Sequence, residues 1–410
     1  MARRVVITGL GILSSIGRNL PETVESVLAS KSGIGILQHL DSPHKDEFPF
    51  AEVPWSNKQL LELAQLTDSL GYSRNSLLGM IAAREAFLHA SLDKLPRLRT
   101  GLISATTVGG MDRCELYFND FITNDSKNKY IDVYDCADST EKIADLLGIR
   151  DYITTISTAC SSAANALLLG ARMIRNGQLD RVVAGGTEAL TSFHVNGFNA
   201  LKILDKVPCR PFDANRNGIT LGEGAAYLVL ESEESASIGG REIIAELAGY
   251  GNACEAFHQT ASTPDGKGAF LAMERALNIS GINSSAIDYI NAHGTGTDNN
   301  DIAEGLAIER LFGEKIPLVS STKPFTGHMT SAAGSAEAIL SILCLTHEII
   351  LPNLNLKTPM PELRFTPVTE LIHESDVSTV MSNSFGFGGN NTSLIFKKVS
   401  NPKFQIPNTK

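Results

Sequence analysis

Short β-branched or apolar runs alternate along the chain with stretches whose apolar residues recur at helical spacing. Residues 5–8, 101–105, 153–156, 180–186, 225–230, 287–291, 317–320, 376–381 and 392–396 read as strands. Helices are expected over 21–29, with Pro21 in the first turn, and over 76–90, where Leu77, Met80, Ile81, Phe87 and Leu88 share a face. Further helices are expected over 141–147, closed by Gly148, over 268–280, and over 301–312, which opens on acidic residues as the helix dipole favours. Two other helical stretches, 163–169 and 331–344, are small or apolar around the whole circumference. Such helices have no face for water and should be buried. Residues 9–17, 205–218 and 382–391 read as loops, and 31–75 and 111–140 as polar, irregular insertions over the surface.

Alternating strands and helices predict an α/β fold with a mostly parallel sheet. The order repeats. Residues 243–251 repeat the strand-plus-glycine pattern of 5–11, and each half contains one buried small-residue helix. We therefore expect two halves, 1–242 and 243–410, packed through those helices into five layers.

Composition narrows the function classes. The 410 residues are 43% hydrophobic and 20% charged, ordinary for a globular protein with a large core. The formal net charge of −10, with no basic stripe, argues against nucleic acid as a partner. No run reaches the ~20 apolar residues of a membrane span. The basic and apolar opening of the chain reads as a buried strand rather than a secretion signal, because three glycines interrupt it by Gly17. The six cysteines are scattered with no C-x-x-C pair, which points to reduced thiols in a cytoplasm.

Three residues carry the candidate chemistry. Cys160 stands at a strand-to-helix junction, where unpaired N–H groups and the helix dipole favour a thiolate. It reads equally well as a small buried residue in a tight turn. His293, in Asn-Ala-His-Gly-Thr, and His328, in Thr-Gly-His, each follow an expected strand and sit in loops where backbone can approach a ligand closely. One Cys and two His do not complete a structural zinc set, and no short-spaced pair anchors one, so no metal is expected.

Taken together, Ser-Thr-Ala-Cys-Ser-Ser around Cys160, the His293 motif, Ser-Thr-Lys-x-x-Thr-Gly-His ending at His328, and Asn383-Ser-Phe-Gly-Phe-Gly-Gly389 resemble the β-ketoacyl-[acyl-carrier-protein] synthases. The likeness is to the type II elongating enzymes and type II polyketide ketosynthases, and it spans nearly the whole chain. It implies the thiolase fold, a duplicated five-layer α-β-α-β-α arrangement. It also implies a decarboxylative Claisen condensation of a Cys160-bound acyl chain with a malonyl group, in fatty-acid or polyketide elongation. Substrates arrive on the phosphopantetheine arm of an acyl carrier protein, with no other cofactor.

By the same resemblance the amides of Cys160 and Phe387 form an oxyanion hole, and His293 and His328 stabilise an enolate as neutral donors. Lys323, Asp301, Glu304 and Glu337 form one charge network orienting them. Thr295 and Thr297 hold the pantetheine arm. Phe387 gates between Gly386 and Gly388, and Val108 and Phe198 line the acyl pocket. Lys202 matches a position that contacts the acidic carrier protein, and Lys206 and Arg210, near it in sequence, are expected to join that basic patch. Asp298, Pro324, Phe325 and Asn390 depart from the family pattern and are expected to border the entrance. The resemblance further implies a homodimer, or a heterodimer with a chain-length-factor-like subunit. The alternative, that this chain is itself such a non-catalytic subunit, is disfavoured by the presence of Cys160, both histidines and Lys323. A thiolase would need a second reactive cysteine near the C-terminus, and a starter-type synthase an Asn in place of His328.

Overall fold

A computed structural model describes residues 3–66, 71–94, 98–121 and 123–399. Ten strands form one sheet. In chain order they are β1 (Val5–Ser14), β2 (Thr100–Ala105), β3 (Tyr152–Ile156), β4 (Arg181–Glu188) and β5 (Gly224–Ser232), then β6 (Ala245–Cys254), β7 (Tyr289–Asn291), β8 (Leu318–Ser320), β9 (Thr379–Gly386) and β10 (Asn390–Lys397). Six helices matter most: α1 (Arg74–His89), α2 (Cys136–Leu147), α3 (Ser162–Arg175), α4 (Lys267–Ser280), α5 (Asp298–Phe312) and α6 (Ala333–His347).

The duplication is explicit in the topology. Strand order is β3-β2-β4-β5-β1, then β6-β10-β9-β7-β8, the same order reversed. The two halves meet at the short antiparallel pairing of Val6 with Glu246 and Ile7 with Ala245. Counting these six helices alone, each half runs strand, helix, strand, helix, strand, helix, strand, strand. Helices α1 and α2 cover one outer face and α4 and α5 the other, while α3 and α6 lie in the central core. This is the expected five-layer arrangement. Of the nine strand pairings, five are antiparallel and four parallel, so the sheet is mixed rather than mostly parallel. The antiparallel pairings arise among the inner strands: β10 follows β9 through the short turn 387–389, and β5 returns beside β4 after a connection that holds the short helix Ser192–Ala200.

Glycines in the two strands where the halves meet explain another difference. The loop expected over 9–17 is strand as far as Ser14. A Cβ on Gly9 or Gly11 would overlap the α1 backbone at Ala86 and Ala82; one on Gly249 or Gly251 would overlap the α4 backbone at Ala276 and Ala272. These glycines admit a helix against the strand; they do not turn the chain. The equivalence of the four contacts is the firmest physical sign of the repeat.

Other expectations shift in the same direction. Within 111–140 the chain forms the helix Met111–Phe121 and the start of α2. Residues 31–75 are not merely superficial, for Phe48, Phe50 and Val53 are buried, Phe50 beside Leu190 and Leu221; residues 67–70 of this stretch lie outside the described residues. Residues 382–386 continue β9 instead of forming loop, and only 387–389 turn. No described helix is long and apolar enough to cross a membrane.

Gly251→Ala should lower the unfolding free energy by about 2 kcal/mol through overpacking. Gly35→Ala, where an added Cβ meets nothing within 4 Å, should change it by less than about 0.5 kcal/mol. Denaturant midpoints of the two variants check this.

Candidate active site

The chemistry-bearing residues follow strands β2, β3, β7 and β8 at their carboxyl ends, where open α/β sheets bind ligands. Cys160 lies between β3 and α3, and His328 stands at the equivalent place between β8 and α6. The Cys160 turn is tight. Ala159 has φ of 52°, in the left-handed region. Thr158 N donates to Ser162 Oγ at 2.8 Å, and Ser162 Oγ donates to Ala159 O at 2.6 Å, fixing the turn. Cys160 itself is 6% exposed.

The two halves bring Cys160, His293 and His328 together: the sulfur and one nitrogen of each ring lie within 4.8 Å of one another. The two imidazoles meet edge to face, centroids 5.4 Å apart. Lys323, 1% exposed, stands behind them. Its ammonium donates to His293 Nδ1 at 3.1 Å, and also contacts the His293 carbonyl and the Glu337 carboxylate. An ammonium has donors only, so His293 Nδ1 must accept, and its proton sits on Nε2. That nitrogen is a donor available to a ligand.

Burial sets the protonation states. It pushes the Cys160 thiol up to about 11, although Lys323 and the Phe387 amide pull the other way. The thiolate expected from the helix position is therefore not the resting form: removal from water outweighs the dipole of a helix that begins two residues later. Burial, then Lys323 and the His328 ring, holds His293 well below the usual histidine range; burial, Lys323 and His194 do the same to His328. The site at neutral pH is a thiol and two neutral imidazoles. A Cys and two His at this distance could share a cation, but the Lys323 ammonium opposes one.

The acidic residues divide by task. Glu337 pairs with Lys323. Glu304 instead accepts from the amides of His293 and Gly294 and from Asn383 Nδ2, and Asp301 accepts from the amides of Thr295 and Phe212. The expected single network is thus two. One holds the His293 ring, and the other holds the loop that carries it. Burial raises Glu304 to about 7 against these donors.

Two cavities meet at Cys160. The larger, about 290 Å³, has the more polar walls of the two, with Thr295, Thr297, Ser262 and Asn299 among apolar residues and Lys202 and Asp298 also lining it. Thr295 and Thr297 hydroxyls bond each other at 2.9 Å. The smaller, about 170 Å³, is bounded by Val108, Phe193, His194 and Thr330. Phe198 and Phe387 line both and stack at 5.9 Å between centroids. Gly386 lines the larger cavity beside Phe387. Gly388 has φ of 78°, and a Cβ added to it would meet nothing within 4 Å.

Other sites are placed differently from expectation. Pro324 and Phe325 are buried, and their carbonyls accept from Ser32 Oγ and Gly33 N, so they brace segment 32–33 instead of bordering the entrance. Asn390 lines neither cavity; its Oδ1 accepts from Asn165 and Asn252, tying the Cys160 turn to β6. Among the basic residues, Lys202 is exposed at the mouth of the larger cavity, Lys206 is exposed 3.6 Å from Glu47, and Arg210 is half-buried and paired with Asp205. Sequence reasoning passed over His194, Thr330 and Ser262. Only Thr330 carried a signal, its position two residues after His328.

Known proteins match throughout. The family model described as "Beta-ketoacyl synthase, N-terminal domain" matches residues 2–236, and "Beta-ketoacyl synthase, C-terminal domain" matches 244–357. A "3-oxoacyl-[acyl-carrier-protein] synthase 2" from Staphylococcus aureus is 34% identical over 409 residues, covering 97% of this chain and 98% of that protein. A solved chain of "the ishigamide ketosynthase/chain length factor" superposes with TM-score 0.91 at 31% identity, covering 98% of this chain and 100% of that one. A chain from the complex of the ketosynthase ApeO with its chain length factor ApeC, from Xenorhabdus doucetiae, gives TM-score 0.84 at 30% identity over 97% of this chain and 98% of that one.

Alkylation of Cys160 by iodoacetamide, followed by site-resolved mass spectrometry, should accelerate about tenfold per pH unit from 7 to 9 with no plateau, because only the thiolate reacts. A plateau below pH 8 would show that the thiol is already ionised.

Proposed function

We propose, since this chain belongs to the β-ketoacyl synthase family, that it condenses a Cys160-bound acyl group with a malonyl group carried on acyl carrier protein. The observation that carries the reading is the junction itself: one buried thiol within 4.8 Å of nitrogens on two imidazoles, where a polar and a more apolar cavity meet. The polar cavity suits a pantetheine arm, with Thr295 and Thr297 as its hydrogen-bonding partners. The smaller cavity suits the acyl chain, between Val108 and Phe198.

In the first step the Cys160 sulfur attacks the acyl thioester carbon. The carbonyl oxygen takes hydrogen bonds from the Cys160 and Phe387 amides, and the thiol proton ends on the departing pantetheine sulfur. In the second, the malonyl thioester loses carbon dioxide and becomes an enolate. His293 Nε2–H and a nitrogen of His328 stabilise its oxygen. Neutral imidazoles suit this role, because a charged pair would hold the leaving carboxylate in place. The enolate carbon then attacks the acyl carbon, the C–S bond to Cys160 breaks, and the thiolate takes up one proton. Phe387, flanked by Gly386 and Gly388, is the residue we assign to gating between the cavities.

Acyl carrier protein would dock at the mouth of the larger cavity. Lys202 is the strongest contact; Lys206 is secondary, and Arg210 is committed to Asp205. The helix Met111–Phe121 buries none of its residues and exposes Leu116, Phe118 and Phe121. That face is the one we assign to the partner subunit, a second copy or a chain-length-factor-like chain. A cytoplasmic setting, with all six cysteines free, and no cofactor beyond the carrier's pantetheine complete the reading.

Incubated with acyl-carrier proteins, the wild-type protein should gain the acyl mass and Cys160→Ala should not; malonyl-carrier protein added next should yield a product two carbons longer. An acylated Cys160→Ala, or a product made by it at the wild-type rate, would overturn the reading. The pH dependence follows from the imidazoles. Their values are lowered, so the neutral form persists as pH falls and is lost only well below the usual histidine range. The acid limb of the kcat profile for condensation should therefore lie below pH 6. A midpoint near the ordinary histidine value of about 6.5 would contradict it.

A further inference from the structure

Two polar side chains stand in the wall of the smaller cavity with hydrogen-bonding capacity that the protein leaves unused. Thr330 is 5% exposed, and its hydroxyl has no partner among the described residues. It is also strained: φ is 42°, a region that a β-branched residue seldom enters. Packing alone gives no reason to place an unpaired hydroxyl on a strained backbone beside Cys160, because Val has the same shape. The hydroxyl oxygen is turned into the wall, with no accessible surface of its own, so it reaches the cavity by a χ1 step that exchanges hydroxyl and methyl, a step no hydrogen bond opposes.

His194 is the second. It is 5% exposed and lines the same cavity. Its Nε2 faces Glu188 Oε1 at 3.4 Å, and that carboxylate is itself held by Thr106 Oγ1, the Thr107 amide and Ser331 Oγ. This anchors the ring and turns Nδ1 away from the carboxylate. The ring also meets Phe198 edge-on, centroids 6.1 Å apart, so it shares the wall with the residue that borders both cavities. Thr330 has no part in the condensation described above, and His194 bears on it only by helping to keep His328 neutral.

We infer that Thr330 and His194 form a specificity site that reads a hydrogen-bonding oxygen on the acyl group, a hydroxyl or ketone on carbons three to five. The inference rests on the reading of Cys160 as the acyl carrier. The position follows from the chain: His328 is within 4.8 Å of the Cys160 sulfur, and Thr330 is two residues beyond it. The Thr330 hydroxyl already lacks a partner, and a plain saturated chain leaves it so, whereas an oxygen on the chain offers it a bond once its side chain turns. A buried donor or acceptor left unmade weakens binding by about tenfold or more, and sites built to bond a substrate oxygen reject analogues lacking it strongly.

The test is competitive acylation of Cys160, read by intact mass. Donors are hexanoyl-carrier protein and its 3-hydroxy, 4-hydroxy, 5-hydroxy and 3-oxo forms. At least one oxygenated donor should load about tenfold faster than hexanoyl, and its identity separates hydroxyl from ketone. Thr330→Val and His194→Phe should each cut that ratio about tenfold. Both donors compete within one sample, so partial misfolding of a variant cancels. Hexanoyl loading as fast as every oxygenated donor on the wild type overturns the inference, as does a ratio unchanged in both variants. Absence of an adduct from all five donors would instead overturn the role of Cys160, and the inference with it.

Discussion

The molecule depends on how closely two buried helices approach. At the crossing of α3 and α6, a Cβ added to Gly334 would lie 2.7 Å from Ala164 N and 2.9 Å from Ala164 Cβ. Only the smallest residues fit on both sides. This contact is near the N-terminal end of each helix, and the residues that precede those ends are Cys160 and His328. A larger side chain at either position would drive the helices apart and separate sulfur from imidazole. The duplication therefore does more than double the core. It sets two equivalent strand-to-helix junctions against one another, and one brings the Cys160 thiol while the other brings the His328 imidazole.

Burial at that crossing sets the electrostatics. The surroundings are too dry for charges without partners, so Cys160 stays protonated and the histidines stay neutral. Lys323 is the exception, and Glu337 balances it from within α6. This ion pair does two things: it fixes the His293 proton on Nε2, and its positive end lies near the sulfur and lowers the thiol's otherwise higher value. A helix dipole alone would have made a different site, with a thiolate exposed to water and open to adventitious oxidation.

The layer order and the three residues that meet where the halves join were legible in the sequence because each depends on a strong local signal. Helices without a polar face must be buried, and Cys160, His293 and His328 each sit just past an expected strand. The strand direction was less legible. Parallel and antiparallel pairings use similar apolar runs, and nothing in the run of β5 or β10 announces that it pairs antiparallel. Gly9 and Gly11 misled for a related reason. A glycine that admits a helix backbone looks, in sequence, like one that turns the chain. Thr330 and His194 were hidden because their meaning lies in an unmade hydrogen bond and a shared cavity wall, neither of which has a sequence period.

The division between the two cavities explains why departures from the family pattern are unevenly placed. Pro324, Phe325 and Asn390 turn out to brace backbone: the first two hold segment 32–33 and the third ties the Cys160 turn to β6. Asp298 alone of the four faces the larger cavity, the one the proposed function gives to the pantetheine arm. On the proposed reading, discrimination between acyl groups comes from the other side of Cys160, where the smaller cavity is walled by Val108, Phe193, His194 and Thr330. On the same reading, chemistry belongs to residues at the crossing, which tolerate little change, and selectivity to the wall beyond it, where a polar side chain can replace an apolar one without disturbing the distance between sulfur and imidazole. One fold can thus keep a single reaction while changing the chain on which it acts.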